Sequence, residues 1–281
     1  MKRTAFVLLL FAAVAPAQMR LLQAEDGAAR RTAAAVLAFG LQSLAANDES
    51  TGLQRLRDAI ATAAECLPLG STARATAEEL RRRRGQAKSL AAATEELRSD
   101  LAFTPVAEAD LPEGVPGFAV LDEVELRNYP TYRMVRTHMK GGSMAAFWPL
   151  FRHIQSKEIA MTTPVQIDYR AEGERLRQTS MAFLYGSTAA GTPGKEGNVE
   201  VIDVPATTVL TIGSRGYDQP SRIAEMTHRL EAWLAANPEW VTAGPVRVMG
   251  YNSPTVSAAK RCFEVQIPVR RQDAARLRES V

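Results

Sequence analysis

The chain has 281 residues, of which 46% are hydrophobic and 23% are charged, and its formal net charge is +3. These values are ordinary for a globular protein of one or two domains with a full core. The small positive charge argues against a nucleic-acid-binding protein, which would carry a clustered basic face. The two cysteines and three histidines show no metal-ligand spacing, so the sequence indicates no metal site of the Cys/His type.

Residues 1–17 have the three regions of a secretory signal peptide. Lys2 and Arg3 give a positive start, residues 5–15 are apolar, and residues 15–17 form a small-x-small cleavage site. The apolar run is too short to span a bilayer, and no later segment is apolar enough to do so. We therefore expect an exported protein, periplasmic or secreted, whose mature chain has no transmembrane segment.

Residues 24–101 are rich in Ala, Arg, Glu and Leu and are expected to form an all-α region. Three helices are predicted, which begin near Asp26, after Thr51 and near Ser71. The proline at position 68 is expected to end the second helix. Ser71 or the following threonine can cap the third helix. The region is predicted to be a helical hairpin or bundle, or a long helix used for association.

Four consecutive arginines, Arg81–Arg84, form the one basic run of this helical region. Four charges are fewer than a binding patch usually needs, so we interpret the run as a solvated helix face. An anion or membrane-surface contact is the alternative. The helices themselves are candidates for binding a protein partner, although the sequence does not identify one.

Residues 102–117 are expected to form a linker, because prolines and glycines punctuate it with acidic residues between them. The second domain is predicted to occupy residues 118–272. Cys66 and Cys262 fall on opposite sides of this boundary. They could pair in an oxidising compartment, but their spacing does not show that they meet.

From residue 118 onward the periodicity changes and runs of β-forming residues appear. The order strand, helix, strand, strand occurs twice, first over Thr131–Tyr185 and again over Thr207–Arg270. Each unit has one apolar sheet face to bury, so two units can close on each other. We predict an α+β fold in which two strand-helix-strand-strand repeats form a distorted β-barrel with two flanking helices, preceded by the all-α region.

The stretch Ile159–Gln166 is apolar and lies between two polar segments. We predict a strand over about residues 158–169. Pro164 cannot donate a hydrogen bond to a sheet, so a bulge or a free edge is expected there. The hydroxyls of Thr162 and Thr163 are expected to satisfy exposed backbone groups. A structural role is therefore favoured over direct ligand contact.

The same stretch carries a family resemblance, because I-A-M-T-T-P-V at residues 159–165 is similar to the I-A-M-T-x-P-V hallmark of the SOUL haem-binding protein family. Further motifs resemble those of the family in the same order: V-E-L-R-N-Y-P at 124–130, F-W-P-L-F-R-H-I at 147–154, M-A-F at 181–183, Y-N-S-P at 251–254 and R-C-F-E-V at 261–265. The resemblance covers about residues 115–272. The loop at 155–158 is shorter than in the family, and His153 stands where many members have tyrosine.

The resemblance implies a non-covalent haem or porphyrin site in an apolar cleft beside the first helix of this domain. Such a site needs an apolar floor, cations for the propionates and, in some cases, an axial ligand to iron. The candidate cofactor-binding residues are Phe147, Phe151, Arg152, His153, Lys157, Lys260 and Arg261, and His153 is also the candidate metal ligand. Core packing of the two phenylalanines, a solvated Arg152 and a surface His153 are the alternatives.

The function predicted from the sequence is an exported haem- or tetrapyrrole-binding protein that acts as a carrier, buffer or sensor. No nucleophile elbow, phosphate-binding glycine loop or His/Glu metal motif is present, so we expect no enzyme and name no catalytic residue. The alternative is a protein-interaction or small-molecule effector-binding module that works without haem.

Overall fold

The computed structural model of the protein describes residues 20–21, 27–173 and 175–272. The predicted signal peptide at residues 1–17 lies outside them. The described part has six helices and twelve strands and is of the α+β class. The helices are α1 (Gly27–Ala46), α2 (Glu49–Cys66), α3 (Thr72–Arg82), α4 (Ala87–Leu101), α5 (Ser143–Ser156) and α6 (Pro220–Ala236). The strands are β1 (Arg20–Leu21), β2 (Val106–Ala107), β3 (Val124–Tyr129), β4 (Tyr132–His138), β5 (Val165–Glu172), β6 (Arg175–Leu184), β7 (Gly194–Glu196), β8 (Val199–Val204), β9 (Thr207–Arg215), β10 (Trp240–Thr242), β11 (Arg247–Gly250) and β12 (Cys262–Arg271).

The N-terminal helical region contains four helices rather than the three that the sequence predicted. The predicted third helix is divided into α3 and α4 because Gly85 has a φ of 150°, which residues with a side chain rarely adopt. The predicted cap of α3 is confirmed, since the Ser71 hydroxyl oxygen accepts a hydrogen bond from the Arg74 backbone N–H at 3.2 Å. The arginines of the run Arg81–Arg84 are all exposed at the end of α3.

Two glycines bring α1 and α2 into close contact. A Cβ atom on Gly40 would lie 2.5 Å from the Cβ of Ala59, and one on Gly52 would lie 2.8 Å from the Cα of Leu44. Because real Cβ atoms do not approach this closely, only glycine fits at these positions. The helices bury a common apolar core, in which Leu37, Leu56 and Ile60 are fully inaccessible to solvent.

The second domain is built on one antiparallel sheet of ten strands. The strand order is β3-β9-β12-β11-β5-β6-β4-β8-β7, and β10 pairs with β12 beside this path. A barrel requires its first and last strands to pair, whereas within the described residues β3 pairs only with β9 and β7 pairs only with β8. The sheet is therefore open, and the closed barrel that the sequence suggested does not form.

Helices α5 and α6 lie on the same face of this sheet. Buried residues of α5 pack with those of β4, β6 and β8, and buried residues of α6 pack with those of β9 and β12. Strands β5 and β11 pair at the centre of the sheet, where Ile167 and Val248 are direct partners. Ile167 contacts both apolar clusters, so the central strands lie between the two helices.

The hallmark stretch is not the predicted strand. Residues 159–164 are irregular, β5 begins only at Val165, and the Thr163–Pro164 peptide bond is cis. As predicted, threonine hydroxyls in this stretch form hydrogen bonds to backbone groups, in place of the backbone hydrogen bonds of a strand. The Thr162 hydroxyl donates to the Leu184 carbonyl at 2.6 Å, and the Thr163 hydroxyl donates to the Tyr251 carbonyl at 3.0 Å.

The opposite face of the sheet is covered by residues 103–121, a segment that includes most of the predicted linker. Ala107 and Phe118 of this segment are buried against the strands. The carbonyl of Asp110 accepts a hydrogen bond from the Thr163 backbone N–H at 2.9 Å. The segment is therefore packed on the sheet and contributes to the core of the second domain.

The helical region contacts the sheet domain mainly through charged groups. The Glu123 carboxylate accepts hydrogen bonds from the backbone N–H groups of Thr72 at 2.8 Å and Ala73 at 3.1 Å, which are the first residues of α3. A carboxylate is favoured at a helix N-terminus, where the backbone N–H groups lack partners. Arg215 of β9 pairs with Asp100 of α4. The helical region is thereby held at the β3–β9 end of the sheet.

Candidate functional site

Helix α5 presents two different sides, which its apolar spacing creates. Ala146, Leu150 and Ile154 lie on the buried side, and all three are at most 3% exposed. The helix begins directly after two glycines. Gly142 occupies the cap position, and no side chain accepts a hydrogen bond there. Of the predicted site residues, Phe147, Phe151 and Arg152 lie on the remaining side of α5.

Three half-buried aromatic rings, those of Phe147, Trp148 and Phe151, form what we call the aromatic flank of α5. The rings of Phe147 and Phe151 stack with centroids 5.6 Å apart and an interplanar angle of 16°. Trp148 meets each of them edge-on, at 5.7 Å and 6.0 Å. Phe147 also contacts Phe183 of β6 at 5.3 Å. The flank is therefore attached to the sheet while part of its aromatic surface stays accessible.

The predicted cationic residues are not all brought together. Arg152 is exposed on α5, one turn after Trp148, and forms no ion pair with the residues that the structure describes. Lys157 is at the end of α5, and its Nζ lies 2.8 Å from Oε1 of Glu196. Both cations thus lie close to the aromatic flank along the same helix.

Lys260 and Arg261 are located elsewhere, immediately before β12. Strands β11 and β5 separate β12 from β6, against which α5 packs. Three strand spacings amount to roughly 14 Å along the sheet. The Arg261 guanidinium lies over the Tyr217 ring at 4.8 Å and donates to the Ser253 carbonyl at 3.0 Å. The structure therefore does not bring these two cations to the aromatic flank.

His153 is only 7% exposed and lies on the buried side of α5. Its Nε2 is 2.9 Å from the Tyr185 hydroxyl, and its Nδ1 is 3.4 Å from Oε2 of Glu196. Both ring nitrogens are therefore engaged by protein groups. Iron can bind a histidine only through a ring nitrogen, so coordination by His153 requires one of these contacts to open.

The contacts of His153 belong to a small polar cluster that fixes the loop after β6. Burial raises the pKa of Tyr185 to about 12, so its hydroxyl keeps its proton. A hydrogen bond from Lys157 holds the pKa of Glu196 below its usual range. Arg133 donates to the carbonyls of Ala190 at 3.1 Å and Gly191 at 2.7 Å. These contacts hold residues 186–198 beside α5.

Sequence reasoning did not identify Tyr185 or Glu196, because nothing in their local patterns indicates a contact with His153. Tyr185 follows the M-A-F motif at the end of β6, and Glu196 lies in a glycine-rich loop. The order of elements places β6 beside β4 and leaves α5 above them, which brings the tyrosine below the histidine. The contact thus depends on tertiary structure.

A second polar cluster lies on the opposite face of the sheet, around the fully buried Glu264. Its Oε1 accepts hydrogen bonds from the Ala119 backbone N–H at 2.8 Å and the Tyr251 hydroxyl at 2.9 Å. Its Oε2 accepts from Thr211 at 3.1 Å and from the Gln266 side chain at 2.5 Å. A buried charge needs this degree of satisfaction. The glutamate and tyrosine of two family-like motifs therefore meet in the core.

Arg247 extends this cluster and is 4% exposed. Its Nε donates to the Gln266 side-chain carbonyl at 2.9 Å, and its Nη1 donates to the Tyr132 hydroxyl at 2.9 Å. Its guanidinium also lies 5.4 Å from the ring centre of Tyr129. The Nη2 atom is buried without a hydrogen-bond partner. The sequence indicates this buried arginine only through its position among the apolar residues of β11.

Several further chemistries find no support within the described ranges. No group of three or more His, Cys, Asp or Glu residues there could hold a metal ion. Cys66 and Cys262 are free thiols, and burial raises the pKa of the Cys262 thiol. Among the helices of the described chain, none is long and apolar enough to cross a membrane.

Comparison with known proteins identifies the class of the second domain. The family described as SOUL heme-binding protein matches residues 115–268, which is more than half of the chain. The protein therefore belongs to the SOUL haem-binding protein family, and the resemblance in the motifs is confirmed. No curated protein sequence matches the chain.

Several solved structures share similarity with about half of the chain. The C-terminal domain of EcmrR is 16% identical with a TM-score of 0.40, over 53% of this chain and 98% of that domain. A hydrolase from Listeria innocua is 10% identical with a TM-score of 0.41, over 57% of this chain and 94% of its own. An integron cassette protein of Vibrio cholerae is 13% identical with a TM-score of 0.31, over 52% and 95%.

Proposed function

We propose that the protein binds haem or a related tetrapyrrole non-covalently on the aromatic flank of α5, without catalysing a reaction. The observation that carries this proposal is the half-buried stack of Phe147 and Phe151 with Trp148 against it. Aromatic rings that stay partly exposed on adjacent helical turns offer a flat apolar surface to a planar ligand. Membership of the SOUL family supports the choice of ligand.

Arg152 and Lys157 are the cations that would pair with the propionates. A carboxylate beside apolar surface must be paired, and a guanidinium can pair with it through two hydrogen bonds. Arg152 is exposed and has no competing ion pair among the described residues, whereas Lys157 is engaged by Glu196. Arg152 is therefore the first choice. Lys260 and Arg261 stay predicted ligands that would have to approach from β12.

Bound haem would supply an iron centre beside α5. His153 stays the predicted axial ligand, and binding through it would release either the Tyr185 hydroxyl or the Glu196 carboxylate. The Soret band reports this directly, because its position depends on the axial ligand. If His153 binds iron, His153→Ala shifts the Soret maximum of the complex. An unchanged Soret maximum in His153→Ala would show that the porphyrin binds without His153 as an axial ligand.

Titration with haemin tests the main proposal. We expect a saturable Soret shift with the wild-type protein and at least tenfold weaker binding with the Phe151→Ala, Arg152→Gln double variant. A matched control is Phe39→Ala with Arg83→Gln, which also removes an exposed phenylalanine and an exposed arginine but in the helical region. Equal affinities for the two double variants, or only non-saturable background with the wild type, would refute the proposal.

We further propose that the protein is exported and acts as a tetrapyrrole carrier, buffer or sensor outside the cytoplasm. The support is the three-part pattern of residues 1–17. Expression of the full chain in a bacterium, followed by fractionation and N-terminal sequencing, should give an exported product that begins at Gln18. A cytoplasmic product with an intact N-terminus would contradict export but would leave the haem proposal untouched.

A second candidate function is binding of a protein partner by the helical region. Its support is that the helical region leaves two large apolar side chains to solvent, Phe39 on α1 at 67% exposure and Leu69 between α2 and α3 at 85% exposure. Co-purification with the full-length protein should lose a partner in Phe39→Ser with Leu69→Ser. If this double variant retains every partner, the second candidate function is refuted.

A further inference from the structure

A cleft of about 280 Å³ lies beyond the last residue of β4, beside the hairpin that β5 and β6 form. Its lining includes His138, Arg170 and Arg177, with Met139 as part of an apolar wall. The cleft is at the small end of the range for ligand sites, which suits a compact ligand. The proposed haem site does not use the side chains of His138, Arg170 and Arg177.

The two arginines of the cleft are direct partners across the strands, Arg170 opposite Arg177. Like charges in this arrangement destabilise a sheet. Glu172 neutralises the charge of Arg177 only in part. The Arg177 Nη1 lies 3.4 Å from Oε1 of Glu172, and because both side chains are about two-thirds exposed, water weakens their attraction. Arg170 forms no ion pair with any residue of the described chain. An anion between the two guanidinium groups would offset the repulsion.

The other polar groups of the cleft already have partners. The Gln178 amide donates to the Tyr169 hydroxyl at 3.0 Å, and the Thr179 hydroxyl donates to the Asp168 carbonyl at 3.1 Å. The donors of the cleft that have no partner among the described residues are therefore cationic, namely Arg170, the open side of Arg177, and His138. Guanidinium groups match carboxylate and phosphate oxygens in charge and geometry.

We propose that this cleft binds a small carboxylate or phosphate anion, held between Arg170 and Arg177 with His138 at its rim. The anion could be free in solution, or it could be a propionate of a tetrapyrrole. Met139 makes the second source possible, because it lines the cleft and also packs in the cluster that contains Phe147 and Phe151. The anion site itself does not depend on the haem proposal.

Calorimetric titration of the full-length protein with inorganic phosphate and with succinate tests the site. Because the arginines are exposed, the ionic strength should be on the order of 0.01 M, where screening is weak. Wild-type protein should bind at least one of the two anions with saturation. Arg170→Gln with Arg177→Gln should weaken that binding at least tenfold. The matched control, Arg81→Gln with Arg83→Gln, should leave it unchanged.

One further variant and one stability measurement keep the test valid if the double variant folds poorly. Glu172→Gln should tighten anion binding by a few-fold, because it removes the carboxylate that competes for Arg177. The Arg170→Gln, Arg177→Gln variant should melt no lower than wild type, because it relieves repulsion between the strands. Equal anion affinity in wild type and this double variant, or weaker binding in Glu172→Gln, would overturn the proposal.

A parallel titration with haemin identifies the source of the anion. If a propionate occupies the cleft, phosphate competes with haemin and the Arg170→Gln, Arg177→Gln variant binds haemin less tightly. If the anion is a free solute, haemin affinity is the same with and without phosphate, while calorimetry still shows saturable anion binding. Failure of haemin to bind at all would refute the haem proposal alone, since the phosphate and succinate titrations do not involve haemin.

Discussion

The two faces of the ten-stranded sheet carry their polar groups in different ways. On the face covered by α5 and α6 the core is apolar, and the polar groups of Arg152 and Lys157 lie at its margin. On the opposite face, Glu264 and Arg247 lie inside the core among tyrosines and glutamines. The first face leaves aromatic surface accessible, whereas Glu264 and Arg247 of the second face are almost completely buried.

This difference separates residues that hold the fold from residues available for binding. A buried carboxylate is tolerated only where its hydrogen bonds are made, so the network of the second face must form together with the fold. An aromatic ring that stays half exposed contributes less to folding and leaves surface for a ligand. We therefore expect substitutions on the opposite face to act on stability, and substitutions on the aromatic flank to act on binding.

The largest expected effect is that of Glu264→Ala. The substitution leaves the Ala119 N–H and the Tyr251 hydroxyl buried without an acceptor. The free energy of unfolding should fall by about 3–5 kcal/mol, measured by urea denaturation. Glu200→Ala removes an exposed glutamate from the same sheet and should cause little change. A comparable loss in both variants would show that the burial of Glu264 does not account for its effect on stability.

The next effect compares two neighbours on α5. Leu150→Ala removes a fully buried side chain and should lower the free energy of unfolding by about 2–5 kcal/mol. Phe151→Ala removes a half-buried ring and should cost less than about 2 kcal/mol. Haemin affinity should follow the reverse order, with the larger loss in Phe151→Ala. If both variants lose stability equally, the aromatic flank is part of the core and the division between the faces fails.

Much of the second domain could be predicted because its pattern is local. The alternation of Phe263, Val265 and Ile267 with polar residues predicted β12, and the ordered motifs predicted the family, which the comparison confirms. The break between α3 and α4 also had a local signal in Gly85, although the leucine spacing on both sides of it concealed the break.

The remainder could not be predicted because it depends on contacts between distant residues. The hallmark stretch looks like a strand, but its threonine hydroxyls bond to carbonyls 22 and 88 residues away and hold it irregular. His153 looks like a surface residue until Tyr185, 32 residues later, is placed beneath it. Whether a polar side chain in an apolar run is buried, as Arg247 is, depends on which strands become its neighbours.

A smaller effect is expected where the hallmark stretch connects the two faces. Thr162→Val keeps the shape of the side chain but leaves the Leu184 carbonyl without its hydrogen bond. The free energy of unfolding should fall by about 1–2 kcal/mol in urea denaturation. Thr255→Val, which alters an exposed hydroxyl, is the control and should be neutral. A neutral Thr162→Val would mean that packing alone fixes this segment.

The smallest effect concerns pH at the β8–β7 edge of the sheet. Hydrogen bonds from Lys157, Arg136 and Arg133 hold the pKa values of Glu196, Glu200 and Asp203 below their ordinary values of 4.5, 4.5 and 3.8. A carboxylate with a lowered pKa in the folded state binds fewer protons there than in the unfolded state. Its contribution to stability is complete above the ordinary pKa and is lost as the pH falls through the folded value.

We therefore expect the urea midpoint of the wild type to be constant from neutral pH to about pH 5 and to decline below it. Part of this decline should disappear in the triple variant Glu196→Gln, Glu200→Gln, Asp203→Asn, which cannot titrate at these positions. The three carboxylates are exposed, so added salt should reduce the difference between the two proteins. An identical acid decline in both proteins would place the acid-sensitive groups elsewhere.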